Sequence, residues 1–417
     1  MFMNRSRIIR AAAFAAVLFL LSAHGAAAAR SAAEIGETSA NFARSDLKTV
    51  QLSACRNACR SLPQPSHTAS CSACRTDAAN HPLHLSAKSA VLLDAFSGRL
   101  LYASHETDRA LIASTTKIMT ALLLCESGNL DQKVVIPPEA VGVEGSSLYL
   151  KSGEVLTVRE LLYGLMLRSG NDAAVALALA DSGDLSSFSR KMNEKANVLG
   201  LKNTHYSNPH GLDSEENYST ALDLARLTRY ALQNEAFLRL VSTKSIQIGD
   251  RQLTNHNKLL WQYPGAIGVK TGYTRTAGRI LVSAAERNGR RLIAVTIADP
   301  NDWADHAALL DYGFSQYETC HLVSQGDVVG SIPVIGGICD YVNLTADFPF
   351  EYPLSSAETP TFRLLAPHQL FAPCGALSAT LEIWLDGIRI GAIPLSLAES
   401  VLEKPPQKSI FQRIFGG

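Results

Sequence analysis

The sequence predicts an α+β fold, an antiparallel sheet flanked by a helical cluster and followed by a small all-β C-terminal domain. Three patterns carry that prediction. Residues 90–94 and 99–103 are apolar strand-like runs around Ala95-Phe96-Ser97-Gly98. Residues 280–285 and 291–298 are two more, joined by Asn288-Gly289, a dipeptide suited to the left-handed dihedrals of a tight hairpin. Between these pairs, residues 156–223 show helical periodicity broken by short polar loops.

Taken in order, residues 1–29 have the form of a secretory signal peptide. Arg5, Arg7 and Arg10 precede an apolar run at 11–23, and Ala26-Ala27-Ala28-Ala29 supplies a small-residue cleavage site. The run is too short to span a bilayer. Residues 30–85 are polar and carry Cys55, Cys59, Cys71 and Cys74 around Leu62-Pro63-Gln64-Pro65. In a short helix each cysteine pair would line one face. A hairpin stapled by Cys55–Cys74 and Cys59–Cys71, a four-thiolate zinc site and an unstructured linker all fit this spacing. The main domain is expected over residues 86–317. Its helices include residues 158–167 and 173–181, with Ser169-Gly170-Asn171 as the break between them. Residues 318–402, with short β-like runs such as 381–391, form the second domain, and residues 403–417 a tail.

The chain has 38 basic and 38 acidic residues, and loss of residues 1–29 leaves 35 against 38. A nucleic-acid partner would favour a basic surface, so that class is disfavoured. The histidines form no His-Glu-x-x-His signature, which argues against a zinc peptidase and for no cofactor.

Three short motifs stand in one order: Ser114-Thr115-Thr116-Lys117, Ser169-Gly170-Asn171 and Lys270-Thr271-Gly272. Each alone is weak, because Ser45-Asp46-Leu47-Lys48 repeats the first spacing and Ser127-Gly128-Asn129 the second. Context separates them. Ser114 opens a buried helical run at 118–125, and Ser127-Gly128-Asn129 falls where that helix should end, a site where Gly is an ordinary cap. Serine is a poor nucleophile until a base takes its proton. Residues 114 and 117 share one helical face, so the Lys117 amine reaches the Ser114 hydroxyl. Burial and a second cation, Lys270, both favour its neutral form. Lys270 and Gly272 point to one side of a strand. Gly272 leaves room for a substrate to pair along the strand edge, and Lys270 with the Thr271 hydroxyl meets its carboxylate. The backbone N–H groups of Ser114 and Tyr273 are the expected oxyanion hole.

This triple resembles the penicillin-recognising serine enzymes, and more closely the low-molecular-mass penicillin-binding proteins, the D-alanyl-D-alanine carboxypeptidases of peptidase family S11. The resemblance spans roughly residues 89–314. It includes Asn208-Pro209-His210-Gly211-Leu212-Asp213, Asn301-Asp302-Trp303-Ala304-Asp305-His306 and the whole stretch 270–283. It implies a β-lactamase/transpeptidase-like catalytic domain and an acyl-enzyme on Ser114, with Lys117 as base. Ser169 would relay a proton to the leaving amine, and Asn171 would hold the substrate amide and Lys117. The implied substrate is a peptidoglycan stem peptide ending in D-Ala-D-Ala, with β-lactams as inhibitors and the extracytoplasmic face of the membrane or cell wall as location. Similar enzymes carry an amphipathic membrane anchor after the β domain. Here Ile410, Phe411, Ile414 and Phe415 share one helical face over only about two turns.

Some relatives place an arginine after the second hairpin to grip the substrate carboxylate. Residues 301–306 have none, and neither Arg275 nor Arg279 is assigned that role. A β-lactamase shares the three motifs, but its common class deacylates with a Glu-x-x-Leu-Asn segment, and no Leu-Asn dipeptide occurs here. A non-catalytic binding protein would not need all of these side chains. Cross-link cleavage and transpeptidation use the same residues and stay open.

Overall fold

The computed structural model describes residues 83–374 and 377–405. The expected signal sequence, Ser45, the four early cysteines and the apolar tail residues lie outside the described residues. A central sheet is built from β1 (Ser89–Asp94), β2 (Leu100–Ser104), β3 (Ala266–Thr274), β4 (Gly278–Arg287) and β5 (Arg290–Ile297). Its order is β2-β1-β5-β4-β3, antiparallel throughout. The first and last strands of this sheet in chain order thus pair with each other, Ser89 with Ile297. Asn288 (φ 52°) and Gly289 (φ 76°) make the tight β4–β5 turn the dipeptide predicts.

Both faces of this sheet are covered, which is why β1 and β5 read as near-continuous apolar runs rather than alternating ones. One face, through Val91, Leu93, Val282, Ile293 and Val295, packs on the helical cluster. This comprises α1 (Lys117–Ser127), α2 (Val158–Leu167), α3 (Asn171–Ser182), α4 (Leu185–Val198), α5 (Ala221–Ala231) and α6 (Glu235–Ser242). The other face, through Leu92, Leu281 and Leu292, packs on Leu309 and Leu310 of α7 (Asp302–Gln316). Start and stop chemistry is visible at the helix ends. Thr157 and Glu160 form a reciprocal capping box before α2. Gly128 in the left-handed region (φ 75°) ends α1, so Ser127-Gly128-Asn129 is a helix cap.

Two boundaries differ from expectation. Ser114 lies in a single 3-10 turn, Ala113–Thr116, ahead of α1 rather than inside the α-helix. The i,i+3 alignment with Lys117 survives, because three residues per turn eclipse those positions. Asn171 is the first residue of α3 and not the end of a loop; the break narrows to Ser169 (φ 61°) and Gly170.

Beyond α7 the chain is all β, with its own core around Ile332, Leu344, Leu381, Ile383 and Leu395. Its strands are β6 (Tyr317–Val323), β7 (Val328–Ile335), β8 (Tyr341–Ala346), β9 (Phe350–Ser355), β10 (Thr361–Leu365), β11 (Leu370–Phe371), β12 (Ala379–Leu385) and β13 (Ile388–Leu397). They form a six-stranded sheet, β10-β12-β13-β8-β7-β11, and a β6-β9 ribbon. The join to the first half lies at the β1–β2 turn. Arg99 there pairs with Glu358 and stacks 5.1 Å from the Tyr317 ring and 5.2 Å from the Tyr352 ring. β2 is the edge opposite to β3.

Candidate active site

The site lies where edge strand β3 meets the Ser114 turn and the start of α3. Ser114, Ser169, Thr271, Gly272 and Tyr273 all line one cavity of about 710 Å³. Lys117, Asn171 and Lys270 are buried behind its wall, at 0%, 4% and 1% exposure. The three motifs, more than 150 residues apart from end to end, therefore converge.

Lys117 Nζ is the hub. It lies 2.9 Å from Ser114 Oγ, 2.7 Å from Asn171 Oδ1 and 2.5 Å from the His210 carbonyl oxygen. Two of these neighbours are carbonyl oxygens, which only accept. A neutral amine has two N–H donors and one lone pair. With both donors engaged by Asn171 and His210, the lone pair is left for the Ser114 hydroxyl proton. The electrostatics favour that neutral form. Burial first, and Lys270 second, hold Lys117 well below the ordinary lysine range, against an opposing pull from Asp172.

The His210 carbonyl is delivered by a local turn. Asn208 Oδ1 accepts from Gly211 N at 2.7 Å, and Thr120 Oγ1 donates to the Pro209 carbonyl at 2.7 Å. Gly211 (φ 90°) is required there, since a Cβ would stand 1.9 Å from the Ala113 carbonyl oxygen. The imidazole of His210 stays neutral, its pKa lowered to about 4 by burial and by Lys117.

Lys270 Nζ is 3.1 Å from Ser169 Oγ and 2.7 Å from the Thr271 carbonyl. Burial lowers its pKa to about 7. A substrate carboxylate beside it would draw it back towards the charged form. Gly272 brings β3 against the nucleophile turn: a Cβ at this residue would be 3.3 Å from Ser114 N. The Tyr273 side chain is 65% exposed at the cavity mouth.

Several contributors carry no local signature. Glu144 and Ser146 offer backbone carbonyls to Asn171, at 2.6 Å from its Nδ2 and 2.7 Å from its N. Arg279, unassigned from sequence, lines the same cavity, donating bidentately to the buried Asp302 from Nε at 3.1 Å and Nη2 at 2.7 Å and lying over Trp303. Arg275 is exposed and does not line it. His256 and Trp261 line the cavity too. The His256 imidazole is kept neutral, with a pKa near 4, by burial and then by Lys270 and Arg168.

The family model described as D-alanyl-D-alanine carboxypeptidase, Peptidase S11, matches residues 75–301. The D-alanyl-D-alanine carboxypeptidase DacF of Bacillus subtilis is 38% identical over 276 residues, 63% of this chain and 71% of that one. DacD of Escherichia coli, also named a D-alanyl-D-alanine carboxypeptidase, is 33% identical over 356 residues, 80% of this chain and 90% of the relative. Among solved structures, penicillin-binding protein 5 of Haemophilus influenzae superposes with a TM-score of 0.67 at 30% identity, covering 78% of this chain and 100% of that one. The chain belongs to the S11 family of serine peptidases, the D-alanyl-D-alanine carboxypeptidases.

Proposed function

We propose that Ser114 is the nucleophile and neutral Lys117 the base of this D-alanyl-D-alanine carboxypeptidase, which removes the terminal D-Ala from peptidoglycan stem pentapeptides. The observation that carries this reading is the hydrogen-bond set around Lys117 Nζ, whose remaining free valence points at Ser114 Oγ.

The substrate lies along the open edge of β3, with its C-terminal carboxylate towards Lys270 and Thr271. Arg279, fixed by Asp302, supplies a second cation at that end of the cleft. Ser114 Oγ attacks the carbonyl carbon of the penultimate D-Ala as its proton passes to Lys117. The oxyanion is met by the N–H groups of Ser114 and Tyr273. The C–N bond then breaks, and the proton held on Lys117 passes to the departing amine through the Ser169 hydroxyl, which neighbours Lys270, so that Lys117 is neutral again. D-Ala leaves; a water attacks the ester carbonyl as Lys117 takes its proton, and that proton returns to Ser114 Oγ as the acyl C–O bond breaks. A β-lactam follows the same first step, but its amine stays tethered after the ring opens and the acyl-enzyme persists.

Residues 86–317 serve as the catalytic domain and residues 318–402 as a spacer or docking module. Residues 1–29 direct export, which places the reaction on the extracytoplasmic side. Residues 403–417 add a peripheral membrane contact through Ile410, Phe411, Ile414 and Phe415. In the cysteine-bearing segment, two disulfides are favoured by its exported setting and by its small size, which cannot supply a core.

The deciding experiment incubates the purified protein with a pentapeptide ending in D-Ala-D-Ala and measures free D-Ala. Release of one D-Ala per peptide supports carboxypeptidase action. Cleavage of cross-linked dimers without such release assigns endopeptidase action instead.

A further inference from the structure

Asp172 is the second residue of α3 and is wholly buried. Its carboxylate accepts from Ser147 Oγ at 2.7 Å, Leu148 N at 2.8 Å, Leu150 N at 3.2 Å and Ala173 N at 2.9 Å. Burying an ionised carboxylate costs several kcal/mol unless protein donors replace its water. Three of these four donors belong to one short segment, residues 147–150. The carboxylate therefore serves as the template on which that segment folds.

The same loop supplies the two carbonyls that orient Asn171. Glu144 O accepts from Asn171 Nδ2 at 2.6 Å and Ser146 O from Asn171 N at 2.7 Å. With its amide nitrogen committed to Glu144, Asn171 turns Oδ1 towards Lys117, 2.7 Å away. The far end of the loop is pinned separately. Arg251 donates to Leu148 O at 3.1 Å and pairs with Glu154 at 2.5 Å. The chain of contacts from Asp172 to Ser114 is unbroken, although Asp172 touches neither nucleophile nor cavity.

We propose that Asp172 is a positioning residue for acylation: it folds the 144–150 loop that aims the Asn171 carboxamide at Lys117, and it is the negative charge set against that amine. The proposal rests on Lys117 being the base. The groups facing Lys117 are Lys270 from β3, His210 from the 208–212 loop and Asp172 from α3. Lys270 favours loss of the lysine proton, neutral His210 contributes no charge, and Asp172 favours its retention. Removing the Asp172 charge therefore extends the neutral lysine to lower pH.

The test measures the second-order rate of acylation by a fluorescent penicillin, from mild acid to mild alkali, with thermal melting in parallel, on the full-length protein. Asp172→Asn is expected to lower the plateau roughly tenfold through misorientation of Asn171. It should also move the acid limb down by roughly half a pH unit or more. Ser147→Ala removes one donor and no charge, so its plateau should fall a few-fold with the limb in place. A lowered plateau with an unmoved limb in Asp172→Asn would make the residue merely structural and overturn the proposal. A wild-type profile would overturn it too. Should Asp172→Asn fail to fold, Ser147→Ala decides, and unchanged acylation there is fatal to the loop argument. Lys117→Arg is run beside them: normal acylation in that variant removes the base assignment itself, independently of Asp172.

Discussion

Between β1 and α7 the fold closes over Lys117, Asp172, Lys270 and His306, each at most 1% exposed, whereas beyond Tyr317 the buried polar side chains among the described residues reduce to Glu382 at 7%. The contrast extends to the strands. β1 is buried at every position, while β8 alternates buried with exposed. The second half is a sheet with one covered face, a pattern that needs only apolar residues at every other position. The first half encloses polar and ionisable side chains, and each must be matched by donors, acceptors or an opposing charge. His306 shows how this is done away from the cleft. Ser283 Oγ lies 2.6 Å from its Nδ1 and Thr296 Oγ1 2.9 Å from its Nε2, and burial lowers its pKa to about 3. That ring ties α7 to the sheet. The lysines differ because one side of their network opens on a cavity.

The sharpest way to break the comparison is to remove the chemistry and leave the fold. Ser114→Ala should abolish covalent penicillin labelling with little change in melting, since the half-buried hydroxyl supports no packing. Peptide mapping of the wild-type adduct should end on Ser114. An adduct on Ser45 would refute the assignment.

Lys117→Arg comes next, and should reduce acylation at least roughly a thousandfold, because guanidinium does not give up its proton. With Lys117 as the proposed base, the working form is the neutral amine, whose folded-state pKa is lowered. Acylation is thus full above that pKa and falls away as pH drops through it, at a pH well under the ordinary lysine value of 10.5. A rate that is flat from mild acid to mild alkali contradicts a lysine base.

A pair of core truncations separates the halves. Ile280→Ala in β4 and Ile383→Ala in β12 each remove a fully buried side chain, at a cost of about 2–5 kcal/mol. Only the first should disturb acylation, because Ile280 pairs with Gly272 in the substrate-facing strand. Ile383 lies in a core joined to the opposite sheet edge, so labelling should stay within about twofold of wild type. Melting followed by fluorescence, beside penicillin labelling, distinguishes the two.

What could be read from the chain follows the same division. Ser114, Lys117, Ser169, Asn171 and Lys270 were legible because short spacings place their side chains and because a helical run or a strand signal flanks each motif. The His210, Glu144 and Ser146 carbonyls were not, since a backbone oxygen leaves no mark on residue identity. Arg279 was seen and left unassigned for a related reason. Its partner Asp302 sits on another element, and only the pairing of β4 beside α7 turns two surface-looking charges into a wall of the cleft. The 3-10 turn under Ser114 was also hidden, because i,i+3 spacing suits both helix types.

The smallest expected effect concerns the tail. The β unit attaches at the sheet edge remote from β3. Four apolar side chains on the roughly two turns expected from the sequence would bury little area, and an isolated helix of that length is marginal in water. Membrane contact through it should therefore be weak and reversible. Full-length protein is expected in washed membranes at a few-fold higher yield than protein truncated at Gln407, with equal penicillin labelling in solution. Equal recovery of the two would leave the apolar face without a membrane role. A difference in labelling would be the more damaging result, because it would tie the tail to the cleft and undo the separation between a half that reacts and a half that holds it in place.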